Sequence, residues 1–231
     1  MYICRVHFLS HYSLSPFPDD PLFNLGIVVP DIHRGFCRVY NTSSFKQFCF
    51  DQGQWLSLHR GILEHYRQDH CFHHSPLFTT WVQQFSDLAR PIFVPGHNFR
   101  LSFLAHIGVE YLLDRQLILQ HLSCVDSFYK SLTDIEWRPV QTYFDCLGFS
   151  SSGFLIRARV EWFLDNRFLY YFGALEKMTE GVFRIYSQST GYSPDDVLKK
   201  KLFTVFAKMD NVIRAHHVQL FYSLQKQLYA A

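Results

Sequence analysis

One short stretch of the sequence carries imidazole and carboxylate groups at intervals of four residues. His65, Asp69 and His73 are spaced in this way within EHYRQDHCFHHS (64–75). Four residues slightly exceed one helical turn, so in a helix the three side chains form one nearly vertical row. Such a row is able to bind a divalent cation, although many ordinary solvated helix faces share its spacing.

A second row with the same spacing lies in LSFLAHIGVEYLLDRQLILQ (101–120), where His106, Glu110 and Asp114 are four residues apart. The rest of this segment is apolar almost all round, which is typical of a helix that is buried on most sides. If the two rows pack together, burying their charges without compensation costs several kcal/mol per ion. A bound cation removes that penalty. The alternative is that each row is a thin solvent-facing stripe.

The composition of the two rows narrows the kind of metal. Imidazole mixed with carboxylate, without thiolate, suits Mn²⁺, Fe²⁺ or Zn²⁺ in an octahedral or open site better than a closed structural zinc. The six cysteines are scattered without a C-x-x-C pair. No G-x-S-x-G, phosphate-binding loop, dinucleotide-binding turn or H-E-x-x-H is present, so those enzyme classes have no support.

Length and composition predict one globular domain. The chain has 231 residues, of which 48% are hydrophobic and 18% aromatic, enough to fill a large interior. A net charge of +2 is well short of a nucleic-acid-binding footprint. Four ionisable residues make segment 101–120 a poor membrane span. The first residues lack a basic stretch followed by a long apolar one, so we expect no signal peptide and a cytoplasmic protein.

Helix signals dominate the chain and predict an all-α fold. Ser75-Pro76 and Ser193-Pro194-Asp195-Asp196 combine a capping residue with proline, and the second opens a long C-terminal helix towards Leu228. Gly148 is expected to end a helix containing VQTYFDCL, and residues 174–188 are helical by periodicity. The one modest strand candidate is GFCRVYN (35–41).

Two further pairs of possible ligands occur near the start of the chain. His7 and His11 lie in HFLSHYSLS, and Asp31 and His33 lie in VPDIH. On the residues alone, a structural role is the favoured interpretation of either pair. His70 and His74 lie off the first row and are predicted to be surface residues.

The order and spacing of these motifs resemble a known family. HFLSHY (7–12), FNLGIVVPDI (23–32), the H-x3-D of His65 and Asp69, and FLAHIGVEYLLDRQLI (103–118) resemble the acyl carrier protein phosphodiesterases. That family is a non-standard branch of the HD-type metal-dependent phosphohydrolases. The resemblance covers mainly the first half of the chain and extends weakly to residues 166–188. It implies an HD-like helical domain over residues 1–231.

The resemblance also implies a ligand set. His11 matches the N-terminal histidine of the family. The implied cofactor is a divalent metal ion, with Mn²⁺ or Fe²⁺ favoured and Zn²⁺ as an alternative. The implied ligands are Asp31, His65, Asp69, His106, Glu110 and, as a further choice, Asp114. Glu110 and His73 are the candidate catalytic groups, as proton acceptor and donor. The chain departs from the family at three points: His73 replaces an aspartate, Asp69-His70 reverses the usual His-Asp order, and the gap from Asn24 to Asp31 is longer.

The implied activity is hydrolysis of the phosphodiester between a carrier protein and its 4′-phosphopantetheine arm. One alternative keeps the chemistry but replaces the substrate with a nucleotide or another small phosphoester. A second is a non-catalytic metal-binding helical protein that interacts with a partner. No nucleic-acid or membrane partner is expected. Several basic residues could dock an acidic carrier protein, although a solvated-surface role is favoured for each of them. They are Arg34, Arg60, Arg67, Arg115 and Lys199–Lys201.

Overall fold

A computed structural model describes residues 7–32, 55–93 and 99–229 of the chain. Every regular element in these segments is a helix, so the all-α prediction is confirmed. The strand candidate at 35–41, together with His33 and Arg34, lies outside the described residues. The helices in chain order are α1 Phe8–Ser13, α2 Pro21–Ile32, α3 Leu56–His74, α4 Pro76–Ala89, α5 Leu101–Gln120, α6 Leu122–Thr133, α7 Trp137–Cys146, α8 Ser150–Asn166, α9 Leu175–Thr190 and α10 Asp196–Tyr229, with short 3₁₀ helices at Arg90–Ile92 and Phe168–Gly173.

Several helix boundaries agree with the sequence signals. Ser75 precedes α4 with Pro76 at its first position, and Gly148 adopts a left-handed φ of 78° just after α7. In the long helix, the cap is Asp195 rather than Ser193, because the Asp195 carboxylate accepts a hydrogen bond from Leu198 N at 2.7 Å. The end of α10 at Tyr229 matches the predicted extent.

Helix α5 is the centre of the molecule. It packs against α1, α4, α6, α9 and α10, and its buried face covers almost the whole circumference. This arrangement confirms that the apolar segment is a buried helix. Among the described residues, no helix is both long enough and apolar enough to cross a membrane.

Helices α2 and α3 approach each other at backbone contact. A Cβ atom built on Gly26 would lie 2.3 Å from the Leu58 carbonyl oxygen, and one built on Gly61 would lie 2.1 Å from the Phe23 carbonyl oxygen. Both distances are far inside van der Waals contact, so only glycine permits this approach. The two glycines thereby bring Asp31, at the end of α2, next to the row of ligands on α3.

Candidate metal centre

The two predicted rows meet between α3 and α5. His73 Nε2 lies 3.4 Å from Glu110 Oε1, and His106 Nε2 lies 2.9 Å from the same oxygen. The rings of His73 and His106 are 4.6 Å apart between centroids. The expectation that the buried helix directs its polar stripe at the row on α3 therefore holds for His106 and Glu110.

Helices α1 and α2 bring further ligands to the same place. The ring centroids of His7 and His11 are 4.3 Å apart, and those of His11 and His65 are 4.4 Å apart. All three imidazoles are almost completely buried, with residue exposures of 2%, 1% and 4%. The structure therefore places His7 and His11, for which a structural role was favoured on the residues alone, beside the predicted ligand His65. Their four-residue spacing was the available signal, because it is the spacing of the other two rows.

The ligand atoms form three groups, in each of which all the atoms lie within 4.8 Å of one another: His7, His11 and Asp69; His11, Asp31 and His65; His73, His106 and Glu110. The second and third groups share no residue. Asp69 lies between them, because it belongs to the first group and its Oδ1 is 3.5 Å from His73 Nε2. The cluster thus offers separate positions for two ions.

The buried imidazoles of the cluster are neutral at physiological pH. Burial lowers the pKa of His7 to about 3, and it lowers the pKa values of His11 and His65 from their ordinary range as well. Burial alone would raise the pKa of Glu110, but the neighbouring imidazoles of His7, His106 and His73 hold that pKa well below its usual range. The site therefore combines free imidazole lone pairs with an ionised carboxylate.

Several of these atoms have no hydrogen-bond partner in the described part of the chain. Both ring nitrogens of His7, Nε2 of His11 and Oε2 of Glu110 are buried and make no hydrogen bond to any described residue. Leaving a buried polar atom unsatisfied costs about 1–3 kcal/mol, and more for a charged group. Each neutral imidazole offers one lone pair and Glu110 offers a carboxylate oxygen, so divalent cations bound at the ligand groups would satisfy these acceptors. The donor set therefore fits a metal ion.

Hydrogen bonds outside the cluster select the tautomers of two imidazoles. His65 Nδ1 donates to the Ile27 carbonyl at 2.7 Å, which leaves the Nε2 lone pair available to the cluster. This bond runs from α3 to α2 and depends on the close approach at Gly26 and Gly61. Metal-binding histidines commonly donate their other N–H to a carbonyl in this way.

Gln68 plays the equivalent part for His11. Its Nε2 donates to Glu64 Oε1 at 2.9 Å and to the Leu14 carbonyl at 3.3 Å. Its Oε1 therefore faces His11, whose Nδ1 donates to it at 2.9 Å. The consequence is a His11 with its proton on Nδ1 and its unpaired Nε2 available for a metal ion.

The end of α10 closes this network from the other side. The Tyr229 hydroxyl lies 2.5 Å from Glu64 Oε1 and 2.6 Å from the Leu14 carbonyl oxygen. Arg67 forms an ion pair with Glu64 at 2.7 Å and donates to the Leu228 carbonyl at 2.6 Å. The last turn of the chain's longest helix thus fixes Glu64, which orients the amide of Gln68.

Replacing Gln68 tests this orienting role. We expect Gln68→Leu to weaken metal binding by about 10–100-fold. Loss of a residue that orients a metal ligand through a hydrogen bond typically has that effect. The number of ions bound at saturation should not change, because no ligand is lost. Competition with a chelator measures the affinity. Gln83→Leu on the exposed face of α4 is the matched control, and a Gln68→Leu affinity equal to wild type would contradict the role.

Asp114, predicted as a further ligand, lies outside the three groups. Its carboxylate accepts hydrogen bonds from Ser10 N at 2.8 Å, Ser10 Oγ at 2.7 Å and Leu9 N at 3.2 Å. These amides are in the first turn of α1, which has no cap from its own flanking residue. Asp114 therefore caps the helix that carries His11. Its four-residue spacing from Glu110 did not distinguish a cap from a ligand.

The Asp114 cap gives a prediction on stability. We expect Asp114→Ala to lower the free energy of unfolding by about 2–4 kcal/mol, because it leaves buried donors on α1 unsatisfied. Metal uptake at saturating concentration should persist, since no member of the three groups is removed. Denaturant titration and metal analysis give the two readings, with the exposed Asp87→Ala as control. Loss of metal without loss of stability would instead make Asp114 a ligand.

The remaining polar residues of α3 lie outside the cluster. His70 and His74 are exposed, as predicted, and their rings stack on each other at 4.0 Å between centroids. Arg60 is exposed on the same helix. Arg115 on α5 is partnered internally, because it lies 3.3 Å from Asp210 and donates to the Gly173 carbonyl.

Comparison with known proteins adds nothing to the geometry: no family model, curated protein or solved structure matches this chain.

Proposed function

We propose that the cluster is a divalent metal centre and that the protein is a metal-dependent phosphoester hydrolase. The observation that carries the proposal is the set of unpartnered lone pairs on His7 and His11 beside the buried carboxylate of Glu110. A protein without an ion would leave these groups desolvated and unsatisfied. The resemblance to carrier-protein phosphodiesterases supports the same chemistry.

The ligand types favour Mn²⁺ or Fe²⁺, with Zn²⁺ as an alternative. The three groups contain five imidazoles and three carboxylates, and oxygen together with nitrogen donors suits these ions. When bound, a divalent cation acts as a Lewis acid that lowers the pKa of water and neutralises phosphoryl oxygens. The second and third groups, with Asp69 between them, supply positions for two such ions.

One edge of the cluster is accessible to a substrate. The side chains of Asp69, His73 and His106 are 34%, 27% and 25% exposed, whereas His7, His11 and His65 are buried. A phosphoester would therefore approach between α3 and α5. If His106 and Glu110 hold the ion at this edge, His73 beside them is the group best placed to give a proton to the leaving oxygen, and Glu110 acts as ligand or proton acceptor.

Within the phosphoester class, we favour a phosphodiester substrate of the carrier-protein type on the strength of the resemblance. Exposed Arg60, on the same helix as the accessible edge, is the available cation for an acidic partner. Arg67 and Arg115 are weaker choices, because both bind groups of their own chain. A nucleotide or another small phosphoester is the neighbouring proposal.

The experiment is a hydrolysis assay on metal-free protein reloaded with Mn²⁺, Fe²⁺ or Zn²⁺. Its substrates are bis(p-nitrophenyl) phosphate, p-nitrophenyl phosphate, cyclic nucleotides and a holo acyl carrier protein followed by mass. We expect turnover that needs metal, and a loss of at least ~100-fold in kcat for His73→Gln. His74→Gln, one residue along the same helix and exposed, is the matched control and should retain full activity. A fully loaded protein that hydrolyses none of these substrates would overturn the proposal.

A further inference from the structure

A cavity lies beside α9, apart from the candidate metal centre. Its volume is about 250 Å³, and it is enclosed by α5, the end of α8, the 3₁₀ helix Phe168–Gly173 and α9. Its walls are largely aromatic, formed by Tyr111, Trp162, Phe168, Tyr171 and Phe172. We call it the aromatic pocket. None of the residues that line it belongs to the three ligand groups, so it is a separate site.

The backbone beside the aromatic pocket adopts an unfavourable conformation. Arg167 has a φ of 42° and is the one non-glycine residue with positive φ in the described segments. The left-handed conformation costs about 1–2 kcal/mol for such a residue. It turns the chain directly from α8 into the 3₁₀ helix, which brings Phe168 and Phe172 into the wall. Strain of this kind persists where the surrounding structure imposes it, and it is concentrated at functional sites.

The polar groups of the aromatic pocket point to the charge of its ligand. Arg184 lines the pocket, is exposed and has no hydrogen-bond or ion-pair partner among the described residues. Lys177 and Glu180 also line the pocket. They form an ion pair at 3.2 Å, so their charges largely cancel. Gln188 Oε1 is buried and accepts no hydrogen bond from any described group. Among the described residues, the lining of this aromatic cavity therefore includes one cation and one acceptor that have no partner.

We propose that the aromatic pocket binds a small planar aromatic anion. The ring of the ligand packs against the aromatic walls, which favour offset-stacked or edge-to-face contacts. Its acidic group pairs with the Arg184 guanidinium, and an N–H or O–H on the ring donates to Gln188 Oε1. A largely apolar cavity with a few convergent polar groups is the usual form of a small-molecule site. The proposal does not depend on the metal centre.

Calorimetric titration with three probes of similar shape tests the ring contacts and the charge preference. The probes are 1-naphthoate, the neutral 1-naphthalenemethanol and the cationic 1-naphthylmethylamine. We expect saturable binding of 1-naphthoate at one molecule per chain, at least ~10-fold tighter than the neutral probe, since a charge-assisted hydrogen bond has about that effect. The absence of saturable binding by wild type, or equal affinity for all three probes, would overturn the proposal.

Two substitutions locate the binding. A Cβ atom on Gly181 would lie 3.4 Å from Phe172 and 4.0 Å from Tyr111, so Gly181→Leu extends into the aromatic pocket. It also favours the helix, because leucine is a better helix former than glycine. We expect Gly181→Leu to weaken 1-naphthoate binding at least ~10-fold, since the side chain occupies the space of the ring. Melting temperature confirms folding, and Gly181→Ala provides a milder version. Unchanged binding by a folded Gly181→Leu would place the ligand elsewhere and overturn the assignment.

Arg184→Gln separates the charge preference from the ring contacts. We expect it to reduce the affinity for 1-naphthoate to that for 1-naphthalenemethanol, while binding of the neutral probe is unchanged. Arg138→Gln, which removes an exposed arginine remote from the lining, is the matched control. If Arg184→Gln retains the full preference for the anion, the assigned role of Arg184 is wrong.

Discussion

Glu110→Gln is expected to weaken divalent metal binding at least ~100-fold and also to lower the stability of the metal-free protein. Second-shell changes typically weaken binding 10–100-fold, and Glu110 is a direct ligand in our proposal. The metal-free protein loses stability because the substitution removes the interaction of the ionised carboxylate with the imidazoles that hold its pKa well below the usual range. The metal-dependent gain in stability, measured separately for each protein, therefore reports the ligand role.

The measurement is the free energy of unfolding with and without metal. At a metal concentration 1,000 times the wild-type Kd, the ion stabilises wild type by about 4.1 kcal/mol. A variant that binds 100-fold more weakly gains about 1.4 kcal/mol under the same conditions. Glu161→Gln, an exposed carboxylate on α8, is the control and should behave as wild type. Equal stabilisation of Glu110→Gln and wild type would remove Glu110 from the ligand set.

The second large effect is acid sensitivity of the metal-free protein. His7, His11 and His65 have lowered pKa values in the folded chain, while their unfolded values lie near 6.5. Below pH 6.5 the unfolded chain therefore binds more protons at these residues, and stability falls by about 1.4 kcal/mol per pH unit for each. Burial raises the pKa of Asp114 to about 7, so that carboxyl works in the opposite direction. Burial also lowers the pKa of His59 to about 4, so four imidazoles against one carboxyl leave a net loss on acidification.

We expect the free energy of unfolding of metal-free protein to fall by at least about 3 kcal/mol between pH 7 and pH 5. This is a large part of the stability of an ordinary domain. Denaturant titrations at several pH values provide the measurement. His7→Leu should make the free energy of unfolding less dependent on pH, because one fewer proton is taken up on unfolding. The pKa of His7 in the folded protein is about 3. Stability that is constant or rises over this range would mean that these imidazoles are not held neutral.

The sequence predicted much of the scaffold for identifiable reasons. Helix α5 was predictable because its apolar residues leave no solvent-facing side, and Ser75-Pro76 marks the start of α4 through cap and proline chemistry. The meeting of His73 with His106 and Glu110 followed from the cost of burying charges on such a helix, whereas His65 and Asp69 lie in groups with residues of α2 and the N-terminal segment. Local patterns were sufficient in each of these cases.

The rest of the site depends on contacts between distant segments. Asp114 caps α1 across more than a hundred residues, and no local pattern distinguishes that role from metal binding. The same contact sets α1, and with it His7 and His11, against the cluster. The backbone approach of Gly26 and Gly61 is likewise a property of the packed pair of helices. Sequence periodicity indicates which residues share a helix face, but it does not specify which helices touch.

The central claim is that side chains from α1, α2, α3 and α5 form one metal centre. The most direct measurement is a titration of metal-free protein with Mn²⁺ and Zn²⁺, with elemental analysis after dialysis, on wild type, His65→Ala and His106→Ala. These two residues belong to groups that share no member. We predict at least one ion per wild-type chain and weaker binding, by at least ~10-fold, in both variants. A wild-type protein that takes up neither ion, or variants that bind as wild type does, would contradict the claim.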